Sequence, residues 1–133
     1  MSDESRILAG ILLLSLVTVE SGGLYMVRLW RSSEGVTPFQ IGFARAGHAH
    51  AGVLLILGLL CQVYADHTSL DGIADWLARS GVPVAAILMP AGFFGASAGR
   101  GRETPNRLIG VVYAGALFLA VGLATLGVGL LTA

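Results

Sequence analysis

From residue 108 to residue 131 the chain carries no charged side chain. That is long enough for an α-helix to cross the hydrocarbon core of a bilayer, which takes ~20 apolar residues. Three further apolar runs lie at about residues 7–30, 41–65 and 82–98. All four are continuous, unlike the alternating ten-residue strands of a membrane β-barrel. The expected fold is all-α: a polytopic four-helix transmembrane bundle, one domain over residues 1–133. Composition agrees. At 55% hydrophobic and 12% charged residues, with mean hydropathy +0.79, the chain is more apolar than ordinary soluble domains. A soluble protein this small cannot bury so much apolar surface.

Orientation is read from arginine, because all eight basic residues are arginine. Arg28, Arg31 and Arg45 flank the first loop, and Arg100, Arg102 and Arg107 the third. The opposite side holds Arg6 and Arg79 among Asp3, Glu4, Asp66, Asp71 and Asp75. Positive-inside asymmetry then places both termini outside a bacterial-type cytoplasmic (inner) membrane. "MSDESR" is too acidic for a signal-peptide n-region, so residues 7–30 are expected to be a retained span. The obligatory partner is the lipid bilayer. Nucleic acid is excluded, since no basic stripe exists to hold a phosphate backbone. Cys61 stands alone, which rules out an intrachain disulfide or a CxxC site.

Local signals refine the layout. "TPF" places Thr37 as an N-cap with Pro38 at the first helical position. In "SLDGIADWLARS", Leu70, Ile73, Trp76 and Leu77 recur at helical spacing, with Asp71, Asp75 and Arg79 opposite. This predicts a short interfacial helix in the second loop, anchored by Trp76. Pro90 should free the Ala86 carbonyl and kink the third span. Among the 19 glycines, the small-residue row Ala91, Gly95 and Gly99 is expected to admit a close helix neighbour.

Ionisable groups inside spans are costly and mark candidate sites. Here they are Glu20, His48 and His50, the histidines lying in "FARAGHAHAG". Counting inward from residues 30 and 41, Glu20 lies ~15 Å deep, His48 ~10 Å and His50 ~13 Å. A Glu20–His50 hydrogen bond is therefore expected, with Arg45 a competing partner for Glu20. Two residues correspond to ~200° of helix rotation, so His48 and His50 point to opposite faces and cannot chelate one metal together. The alternative role for each histidine is a hydrogen bond that ties two helices together. Met89, beside Pro90, is a candidate axial haem ligand, and Asp66 with His67 a candidate outer metal site. No nucleophile–base–acid set and no phosphate-binding glycine loop is present, so no enzymatic activity is assigned.

"HAHAGVLLILG" at 48–58 resembles a pattern in small four-span bacterial membrane proteins related to subunit I of the haem–copper oxidases. In those proteins the second span opens with HAHxxLLGW. This chain supplies His48, Ala49, His50, then Leu54 or Leu55 and Gly58, in shifted register and without the tryptophan. The resemblance implies haem, as haem b, with His48 and His50 as the ligand positions. The third-span histidine of such relatives has no counterpart in "WLARSGVP". A second axial ligand would then be Met89 or a histidine of another protomer, with Glu20 as a proton-handling carboxylate.

Two functional expectations result. One is a haem-binding or redox-associated electron-transfer protein. The other is a non-catalytic accessory or assembly subunit, in a homo-oligomer or a larger membrane complex. Proton or metal transport along Glu20 and the histidines is a third reading, weakened by the single buried carboxylate.

Overall fold

The computed structural model describes residues 1–32 and 34–133. They form four helices: α1 (Asp3–Arg31), α2 (Pro38–Ala65), α3 (Gly72–Ser97) and α4 (Ile109–Leu131). Each is long and apolar enough to cross a membrane, and there is no strand among the described residues. The helix starts are locally encoded. The Ser2 hydroxyl accepts the Ser5 backbone N–H at 3.1 Å, with Asp3 and Glu4 in the first turn, favourable at the positive end of the helix dipole. Thr37 and Gln40 form a reciprocal capping box, with Pro38 at the start of α2. The capping signals carry α1 and α2 a few residues beyond the apolar runs they contain.

α3 is the centre of the bundle. It packs against α2 on one side and α4 on the other, whereas α1 packs chiefly against α2. In lipid, helices associate by close packing rather than by hydrophobic burial, and glycines make the α3–α4 contact. A Cβ on Gly81 would come within 2.6 Å of the Gly122 Cα, and one on Gly115 within 2.6 Å of the Met89 Cγ. Gly115, Gly122 and Gly129 lie seven residues apart and are all buried. Of the row expected from the sequence, Gly95 admits the Leu108 side chain at the start of α4, 3.0 Å from an added Cβ, but Ala91 is exposed and Gly99 lies beyond the end of α3.

The second loop also differs from expectation. Residues 72–80 are not a separate interfacial helix but the first turns of α3, which continues unbroken through Pro83 and Pro90. Arg79, expected on a solvated face, is only 7% exposed. Asp66 and Ser5 draw its guanidinium in, and Pro83 lacks the N–H that would bond the Arg79 carbonyl. The Gln62 side-chain amide of α2 donates to that carbonyl at 2.8 Å. The helix therefore survives its proline by borrowing a donor from its neighbour.

Candidate functional site

The two histidines do point apart. His48 lies beside Gly22 and Gly23 of α1; a Cβ on Gly22 would be 3.0 Å from its Nδ1. His50 faces α3, its ring 4.9 Å from that of Phe93. Its Nδ1 lies 2.7 Å from the Ala46 carbonyl one turn back. If that nitrogen carries the proton, Nε2 is left as the basic nitrogen.

The expected Glu20–His50 bond is absent. Close packing pairs Gly22 with His48 and Leu12 with Gly58, so Glu20 and His50 do share a level. Direction separates them: Gly47 lets Phe93 and Phe94 of α3 close in, and His50, three residues on, shares that side of α2. Glu20 is exposed, and no described residue lies within hydrogen-bonding or ion-pair distance of its carboxylate. Arg45 is exposed too and does not pair with it.

These positions do not converge on one site within the chain. Met89 is turned to α4, against Gly115, while His48 faces α1 and His50 faces Phe93. A cavity of about 280 Å³ lies between the ends of α1, α2 and α3 and is lined by Tyr25, Leu29, Gln40 and Phe94 among others. No histidine lines it. Among the described residues, no group of three or more His, Cys, Asp or Glu side chains is arranged to hold a metal ion.

The most developed polar constellation was not anticipated. At the end of the bundle that holds both termini, Arg79 of α3 donates from Nη1 to Asp66 at 2.8 Å and from Nε to Asp75 at 2.8 Å. Nη1 also donates to the Ser5 hydroxyl of α1. That hydroxyl lies 2.8 Å from the Asp66 carboxylate and 3.0 Å from the Gln62 carbonyl. The Ser2 backbone N–H completes the set, 2.9 Å from Asp66. Burial pushes the Asp66 carboxyl up, but Arg79, Ser2 and Ser5 outweigh it and hold it well below the usual carboxylate range. Chemically this is a lock: one guanidinium satisfies two carboxylates and ties α1, α2 and α3 together.

The lock also removes the expected Asp66–His67 metal site. Asp66 is committed to Arg79, while exposed His67 turns back to the Val63 carbonyl at 2.9 Å. Two signals for the lock were present in the sequence: Gln62 inside an apolar run, and Pro83 four residues after Arg79.

At the other end, Gln40 donates to the Ser97 and Gly99 carbonyls at 2.9 and 2.6 Å. The Asn106 side chain donates to the Gly95 carbonyl at 2.8 Å. The bonds to Gly95 and Ser97 close the last turn of α3, whose carbonyls have no partners within the helix.

Fold and site together define a small four-span α-helical membrane protein. No protein-family model, curated protein or solved structure matches the chain.

Proposed function

We propose that the protein is a non-catalytic accessory or assembly subunit of a larger membrane assembly, with both termini outside. The observation that carries this reading is Glu20, an exposed carboxyl inside an apolar span with no partner among the described residues. An ionisable residue at such depth costs about 2.5–3.5 kcal/mol on insertion scales and faces protein or water in functional settings. A second observation agrees: 6% of the most apolar stretch of α1 is buried, against 50% for α3. α1 is thus the helix with most surface left to cover. The test is extraction of native membranes in mild detergent followed by native electrophoresis. A particle well above the 13.7 kDa of one chain, reduced by Glu20→Lys, is expected; a monomer in wild-type extracts would overturn the proposal.

The bond between His50 Nδ1 and the Ala46 carbonyl favours a second reading, haem held by His50 between two chains. A reduced-minus-oxidised spectrum of protein made with ample haem supply tests it. A low-spin haem signal abolished by His50→Leu would support it, and a flat spectrum would end it.

A further inference from the structure

The assembly reading does not name what covers α1, but the helix itself narrows the choice. Leu13, Val17, Glu20, Leu24 and Val27 follow one another at alternating intervals of four and three residues, and all are exposed. That spacing is the seam of a left-handed helix pair. The stripe is centred roughly 100° around the helix from Leu12, which packs against Gly58 of α2. It is therefore clear of α2. The adjacent stripe through Leu14, Thr18, Ser21 and Tyr25 is also exposed. Its Thr18 and Ser21 hydroxyls, however, donate to carbonyls of α1 itself at 2.6 Å, so lipid can cover it. Only the first stripe holds a group that lipid cannot satisfy.

We infer that the occupant is a second copy of this chain, packed parallel on the stripe through α1. A two-fold axis along the membrane normal sets each seam residue opposite its counterpart. The two Glu20 carboxyls then meet at one depth, each the other's hydrogen-bonding partner. Symmetry supplies the matching polar group without a separately placed residue in another protein. A single polar residue in an apolar seam is also a device that fixes register and strand number. The inference rests on the assembly reading and adds the partner.

Cysteine cross-linking in native membranes tests it. Cys61 is 2% exposed and can stay. Leu13→Cys, Val17→Cys, Leu24→Cys and Val27→Cys are compared with Leu14→Cys, Thr18→Cys and Ser21→Cys after mild oxidation. Disulfide-linked dimers at the four stripe positions are expected, with several-fold less product at the other three. Added to Leu24→Cys, Glu20→Gln keeps the dimer and Glu20→Lys abolishes it. Equal cross-linking at both sets overturns the inference. A stripe that cross-links only to a different protein also overturns it and leaves the assembly reading standing. No cross-link anywhere, with a monomer-sized native particle, overturns both.

Discussion

The side chain of Gln62 donates to the carbonyl of Arg79 at 2.8 Å, the carbonyl that Pro83 deprives of its helical donor. One amide thus repairs a neighbouring helix, and it does so where Arg79 must be held still to engage Asp66, Asp75 and Ser5.

Gln62→Leu leaves that carbonyl buried and unpaired, at a cost of about 1–3 kcal/mol. Pro83→Ala restores an N–H to α3. The same glutamine substitution should therefore cost less in the Pro83→Ala background, with a coupling of at least about 0.5 kcal/mol. It will not fall to zero, because Gln62 also donates to the Gly58 carbonyl at 3.1 Å. Unfolding of the four proteins of this cycle in detergent measures the coupling, and strict additivity would refute the repair.

Arg79→Met removes the cation from two carboxylates at once. Breaking a buried pair by deleting one partner typically costs about 3–5 kcal/mol. The same substitution with Asp66→Asn and Asp75→Asn should recover part of that loss, which thermal unfolding in detergent would show.

Asp66 predicts a pH dependence. Its unfolded carboxyl titrates near ~3.9, and its folded one lower, because Arg79, Ser2 and Ser5 favour the charged form. The stabilisation is complete above the unfolded value and is lost as pH falls through the folded one. Wild-type protein should therefore lose melting temperature more steeply on acidification below about pH 4 than Asp66→Asn does. Equal slopes would show that Asp66 is not held in its charged form.

Gly81 and Gly122 set the spacing of α3 and α4. Either one changed to leucine should cost about 1–3 kcal/mol through overpacking, since even a Cβ at Gly81 would meet Gly122 backbone at 2.6 Å. Gly127, with nothing within 4 Å of such a Cβ, is the matched control. A Gly127→Leu variant as unstable as Gly122→Leu would contradict this account of the packing.

The four helices were legible because length and continuous apolarity suffice for spans. So was the N-cap at Thr37, which is a local signal. The opposed directions of His48 and His50 followed from 100° per residue. Which neighbour each histidine meets did not follow, because that depends on Gly47 admitting Phe93 and Phe94, a contact between distant segments. The helical spacing of Ile73, Trp76 and Leu77 was read correctly as helix. Its continuation into α3 was missed, because the apolar run starts only at about residue 82, and the donor that carries the helix past Pro83 lies on another helix. Arg79 was placed with Asp75 on the face opposite Ile73, Trp76 and Leu77; the two do pair, but burial comes from Asp66 and Ser5, remote in sequence.

The account rests most heavily on α1 being covered in the membrane. A nitroxide label on Leu24→Cys, compared with one on Leu117→Cys, tests this through collision with oxygen dissolved in lipid. Both residues are exposed in the single chain, at 68% and 64%. The account predicts that the label at position 24 is several-fold less accessible than the label at position 117. Equal accessibility would mean that Glu20 faces lipid, and would contradict the assembly reading.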